Sequence, residues 1–154
     1  MITAQIEELT RAGIDEIESL VDQHAIEVSA HYKNGIPVNC NWSEYMNRQL
    51  RGEFVYITLR EDSKLIGYFS AFIAPCFHYQ ALSITLDAIY VKPTTRGISG
   101  GVMLMEVMQG EFKRRGAKVW RMGYKAEHAK YMEALLDKFG FEDFEVHKVL
   151  WAKD

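Results

Sequence analysis

Asp87-Ala88-Ile89-Tyr90-Val91-Lys92-Pro93-Thr94-Thr95-Arg96-Gly97-Ile98-Ser99-Gly100-Gly101 is the stretch that decides how this chain folds. Its first part is rich in β-branched and aromatic residues and predicts a strand that stops at Lys92-Pro93. Gly97, Gly100 and Gly101 then make a loop in which a helix begins. Glycines let the backbone approach a bound group closely and adopt positive φ. A helix start presents N–H groups with no intrahelical acceptor and the positive end of the helix dipole, a combination that favours a pyrophosphate. Arg96 and the Ser99 hydroxyl add contacts of their own. A glycine-rich turn with no ligand is the plainer alternative. Two nucleotide signatures are absent: there is no GxxxxGK[ST] phosphate loop and no GxGxxG.

Upstream of this stretch, Met1 to Leu9 begins as a strand. From Gly13, Ile14, Ile17, Leu20, Val21 and Val28 recur at helical spacing until Asn34-Gly35-Ile36-Pro37 breaks the pattern. A short helix after Asn41 carries Trp42, Tyr45, Met46 and Leu50 on one face and stops at Gly52. Phe54–Leu59 and Leu65–Ile73 read as strands joined by a tight turn, Pro75–Ala81 as an irregular connection, and Ser83–Val91 as a third strand. Downstream, a helix from about Gly100 to Arg115 closes at Gly116. Lys118–Tyr124 reads as a strand, Ala126–Phe139 as a helix stopped by Gly140, and Phe144–Trp151 as a closing strand. The order is β-α-α-β-β-β-α-β-α-β. Short turns between Phe54 and Val91 disfavour a purely parallel sheet. The expectation is an α/β fold (α+β by some schemes): a mixed, mostly antiparallel central sheet with helices on both faces.

With 154 residues, 48% of them apolar and 25% charged, the chain suits one domain spanning 1–154 with a full core. A net charge of -3 gives no global attraction to nucleic acid or to anionic membrane. Lys113-Arg114-Arg115 complements the negative end of its helix, or touches a polyanion. Cys40 and Cys76 have neither metal-ligand nor disulfide-framework spacing. The N-terminus lacks a signal-peptide pattern and no apolar run is long enough to span a membrane, so a cytoplasmic protein is expected.

Arg96-Gly97-Ile98-Ser99-Gly100-Gly101 resembles the RGxGxG/A loop of the GNAT acyltransferase superfamily, with Ser99 in place of the middle glycine. Ile89-Tyr90-Val91-Lys92-Pro93 resembles the strand end that leads into that loop, and Lys138-Phe139-Gly140-Phe141 the family's "K-x-GF" ending of its last helix. His78-Tyr79 with Asp87 and Tyr90-Val91 further resembles GNAT-like proteins common in bacteriophage genomes, which would place the protein in a host cytoplasm.

The resemblance implies acetyl-CoA as co-substrate and a primary amine as acceptor, with no metal. Ile89, Tyr90 and Val91 would line the pantetheine arm where this strand splays from the one near Trp120, and the loop Arg96–Gly101 would hold the pyrophosphate. Asp87 is the first candidate base, since it sits in an apolar strand and shares alternation parity with Ile89 and Val91. A buried Asp that only accepts hydrogen bonds is its structural alternative. His78 is the second candidate, with an ordinary surface or packing role as its alternative. The family's usual acid, a tyrosine five positions before the GF phenylalanine, falls at Leu136; Tyr131 and Tyr124 are the substitutes on offer. A non-catalytic acyl-CoA-binding or structural module therefore stays open. His24, Glu27 and His31 share roughly one helical face, but the pattern is not HExxH and no fourth ligand is evident. With Tyr32, Asn39, Asn41, Trp42 and Tyr45 they either make an ordinary polar helix face or suit the wall of a polar acceptor site, where the resemblance places the first two helices. Nucleic acid enters only as a candidate substrate, and a homodimer is left open.

Overall fold

A computed structural model describes residues 1–95 and 99–152. One sheet of five strands runs in chain order: β1 (Ile2–Ile6), β2 (Phe54–Glu61), β3 (Lys64–Pro75), β4 (Leu82–Val91) and β5 (Val119–Arg121). The first four pair antiparallel, and β5 joins β4 in parallel. This is the mixed, mostly antiparallel sheet that the short turns predict.

Helices cover both faces. On one lie α1 (Arg11–Val28), the single turn α2 (Ala30–Lys33) and α3 (Trp42–Leu50). Ile14, Ile17 and Leu20 of α1 pack there on Phe54, Tyr56, Tyr68 and Tyr90, with Trp42, Tyr45 and Met46 of α3 alongside. Each helix starts on a side-chain cap: Thr10 for α1, Ser29 for α2 and Asn41 for α3. On the opposite face, α4 (Gly100–Arg114) and α5 (Ala129–Lys138) bury Leu104, Met105, Met108, Met132, Leu135 and Leu136 against Ile57, Phe69, Ile84 and Val91. Strands buried on both faces read as nearly continuous apolar runs, as β2 and β3 do.

The two arginines of the basic run at the end of α4 are engaged within the chain. Arg114 and Arg115 both donate to the buried Glu111 carboxylate, and Arg115 also reaches the Gly52 carbonyl at 2.8 Å. Gly140, at φ +79°, lets α5 end in a 6→1 turn: the Phe141 N–H donates to the Leu136 carbonyl, and the Phe141 ring tucks edge-on to Trp120.

The end of the chain departs from expectation. Phe144–Trp151 forms no strand. β-Formers favour strands because their side chains suit a half-buried pleated surface. Here Phe144, Val146, Val149 and Leu150 are between 68% and 95% exposed, and β5 is only three residues long, shorter than the expected Lys118–Tyr124. The segment passes from Phe141 on Trp120, past Phe144 beside Arg121, to Trp151, which meets His31 edge-on at 5.0 Å.

Candidate functional site

Two irregularities of β4 build the site. The first is its pairing with β5, which covers only Ser83↔Val119, Ile84↔Trp120 and Thr85↔Arg121. The pairing ends at Thr85↔Arg121, where β5 itself ends. The second is a β-bulge: Ser70 of β3 faces Ala88 and Ala71 faces Leu86, so Asp87 is the extra residue.

The bulge corrects the parity assigned to Asp87. Simple alternation puts it on the face of Ile89 and Val91, which pack on the α4 side. An extra residue shifts the alternation by one, so Asp87 and Ala88 both face α1 and α3. Asp87 Oδ2 accepts from Ser70 Oγ at 2.8 Å and from the Tyr45 hydroxyl at 3.0 Å. Asp87 keeps contact with solvent, yet the protein around it desolvates the carboxylate enough to raise its pKa against the pull of both hydrogen bonds. Burial and the Asp87 charge in turn push the Tyr45 hydroxyl far above its ordinary value.

Tyr45, the partner of this carboxylate, also lines a cleft of about 690 Å³ together with His31, Asn39, Cys40, Asn41, Arg48 and Phe72. Burial, then the charges of Asp87, Asp22 and Glu18, raise the Cys40 thiol, which stays neutral. His24 Nδ1 lies 2.7 Å from the Tyr68 hydroxyl, and its ring stacks on Tyr90. The Tyr90 hydroxyl donates to Glu27 at 3.0 Å. Among the described residues no group of three or more metal-ligating side chains converges, and no helix is long and apolar enough to cross a membrane.

The remaining candidates are scattered. His78 sits exposed in the turn before β4, off the end opposite Val91. The length of β4, roughly 30 Å of strand, lies between them. The Tyr124 hydroxyl donates to Glu133 at 3.0 Å, which raises its pKa. Tyr131 is half exposed and lies over the first turn of α4, where a methyl group on Gly101 would come within 2.8 Å of its hydroxyl. Leu136 is core. Arg96, Gly97 and Ile98 lie outside the described residues. Ser99 precedes α4, makes no capping bond with its side chain, and accepts the Met103 N–H at 2.9 Å. Gly100 and Gly101 are buried, and a methyl on Gly100 would meet Leu59 at 2.6 Å.

Two features fit an acyl-CoA: a β5 that pairs with only the first part of β4, and a helix start with no acidic side chain in its first turn. Ser70 and Arg121 went unnoticed in the sequence. A lone serine or arginine in a strand carries no motif.

No family model matches the chain, and no curated protein sequence does. Solved structures do. An aminoglycoside acetyltransferase from an uncultured soil metagenomic sample superposes with a TM-score of 0.76 at 17% identity over 99% of both chains. A ribosomal-protein-alanine N-acetyltransferase from Brucella melitensis biovar Abortus 2308 gives 0.73 at 12%, over 99% of this chain and 100% of that one. A predicted acetyltransferase with acetyl-CoA from Clostridium acetobutylicum gives 0.69 at 16%, over 97% and 96%. At these identities the likeness speaks for architecture. The chain has the GNAT-type acyltransferase fold.

Proposed function

We propose that the protein is an N-acetyltransferase that moves an acetyl group from acetyl-CoA to a primary amine. The observation that carries this reading is the bulge that turns Asp87 to the α1/α3 side of β4, onto Tyr45 of the cleft and two residues past the last β5 pair. When bound, acetyl-CoA supplies an activated acetyl thioester. The backbone of β4 beyond Thr85 takes the pantetheine arm, and the start of α4 with Ser99 takes the pyrophosphate. N–H groups of β4 polarise the acyl carbonyl. A lysine-like amine has a reference pKa near 10.4. Asp87 accepts the proton that the amine must lose, and its raised pKa makes it a better base than an ordinary aspartate.

Thermal-shift titration with acetyl-CoA is the first test; no stabilisation at millimolar ligand would sink the reading. Asp87→Asn then isolates the base. It should lower kcat/KM by roughly a hundred- to ten-thousand-fold. Stability should hold or rise slightly at neutral pH, because the amide keeps an acceptor oxygen for Ser70 and Tyr45 without a desolvated charge. The sign of the pH effect follows. A folded pKa above the unfolded one means that ionised Asp87 opposes folding at high pH, and acidification relieves it. Activity runs the other way, with an acid limb above the ordinary aspartate range. A wild-type profile flat through that range would remove Asp87 from the role.

A second reading, a non-catalytic acyl-CoA-binding module, rests on Leu136, which is buried where the family places its tyrosine. Acetyl-CoA binding without CoA release for any amine would favour it.

A further inference from the structure

Most arginines among the described residues are paired with a carboxylate. Arg48 pairs with Glu44, Arg51 with Glu53, Arg60 with Glu7 and Glu16, and Arg114 and Arg115 with Glu111. Among the described residues only Arg11 and Arg121 have no carboxylate. Arg11 stands in solvent at the start of α1, whereas Arg121 is half-buried. Its Nε is shut off from water and has no acceptor. The guanidinium carbon lies 5.3 Å from the centre of the Phe144 ring, a contact that accommodates charge but gives the N–H no lone pair. Buried polar groups in folded proteins nearly always have a hydrogen-bond partner, and an arginine fork matches two oxygens of one anion.

Its place in the sheet says which ligand would bring that anion. Trp120 faces the α4 side with its ladder partner Ile84, so the next residue, Arg121, faces the α1/α3 side with Thr85. Thr85 is paired in turn with Phe72, which lines the cleft. Phe72, Thr85 and Arg121 form one row across three strands, and Asp87 stands two residues beyond Thr85 on the same face. Strand geometry puts the backbones of Arg121 and Asp87 roughly 8 Å apart. One small molecule can span that gap.

We propose that Arg121 binds a carboxylate or phosphate carried by the same acceptor whose amine meets Asp87. The acceptor is then a small amine with an anionic group rather than a simple polycation. This rests on the acetyl-transfer reading for what happens to the amine, but not for the binding of the anion.

The test separates the two. Melting temperatures are measured for wild type, Arg121→Gln and Arg121→Lys with glutarate, with inorganic phosphate and with acetyl-CoA. Acetyl-CoA should stabilise all three proteins, which also shows that the variants fold. Glutarate or phosphate should stabilise wild type, Arg121→Gln much less, and Arg121→Lys in between, since lysine keeps the charge but loses the fork. An anion held at the start of α4 would act equally on all three. Turnover is then compared within matched pairs, lysine against cadaverine and phosphoethanolamine against ethanolamine. Wild type should prefer the anionic member roughly ten- to hundredfold, and Arg121→Gln should lose that preference through KM. If both anions shift wild type and Arg121→Gln alike, or shift neither, the proposal is overturned whatever the turnover shows. If acetyl-CoA stabilises no protein, the transfer reading falls while the anion response still decides the role of Arg121.

Discussion

The two sides of β4 are held in different ways. On one side, β1 to β4 form a continuous antiparallel block, with eight paired positions between β2 and β3 and nine between β3 and β4. On the other, three parallel pairs attach β5, and the described residues after Phe141 form no strand. The block is a platform; the loose side is where something can enter. In the proposed binding mode, a β5 paired along all of β4 would close the side meant for a pantetheine arm, and a β4 without the block behind it could not hold a bulge in register.

The platform should break hardest. Phe69 is fully buried at the centre of β3, under Trp120. Phe69→Ala leaves a cavity that strands on both sides prevent from collapsing, and should cost about 3–5 kcal/mol in urea unfolding. A loss below about 1 kcal/mol would mean that the block is not the rigid part.

Gly67→Ala tests the joint between platform and site. A methyl there would come 2.7 Å from the Tyr90 carbonyl oxygen and 3.2 Å from the Val91 Cα. Both are backbone atoms and cannot swing aside, unlike the Tyr131 hydroxyl above Gly101. The expected loss is roughly 1–3 kcal/mol. Acetyl-CoA affinity should fall with it, because the end of β4 moves away from β3. Gly101→Ala, met by a mobile side chain, should be milder in stability.

Glu7 and Arg60 tie the first turn of the chain to the block. Glu7 takes two bonds from Arg60, at 2.7 and 2.9 Å, and one from Thr58 at 2.8 Å. The Arg60 hydrogen bonds, against a smaller desolvation penalty, lower the Glu7 pKa to about 2. A depressed folded pKa contributes stability that is complete above the ordinary glutamate value and is lost as pH falls through about 2. Both side chains still see water, so Glu7→Gln should cost only about 1 kcal/mol at neutral pH. That difference should shrink steadily on acidification toward pH 2 and vanish below it. A difference independent of pH would assign the effect to packing.

How much of this was legible in the sequence follows the same division. Ile14, Ile17 and Leu20 announce α1, and the run into Val91-Lys92-Pro93 announces β4 and the loop after it, because periodicity and turn chemistry are local. The bulge at Asp87 is not local. Nothing in Leu86-Asp87-Ala88 says that β3 will skip a residue there, and so the carboxylate was identified while its direction was wrong. The isolation of Arg121 was hidden for the same reason, since it depends on which carboxylates the fold brings near. Phe144–Trp151 failed in the opposite sense. Its pattern is a good strand pattern, but a strand also needs an edge, and β5 has three residues of one.

That segment offers the smallest predicted effect and the sharpest view of the loose side. Leu150 is 95% exposed. Leu150→Ser therefore removes almost no buried surface and should change stability by less than about 0.5 kcal/mol. The amides from 144 to 151 should exchange hydrogen far faster than those of β3, because no ladder protects them. The result can go wrong in only one informative direction. A loss above about 1 kcal/mol, with slow exchange at Val146 and Val149, would mean that the segment does pack as its sequence pattern suggests. β5 would then be an inner strand, the two sides of β4 would be more alike than their pairing indicates, and the Phe144 ring beside Arg121 would be a fixed wall of the site.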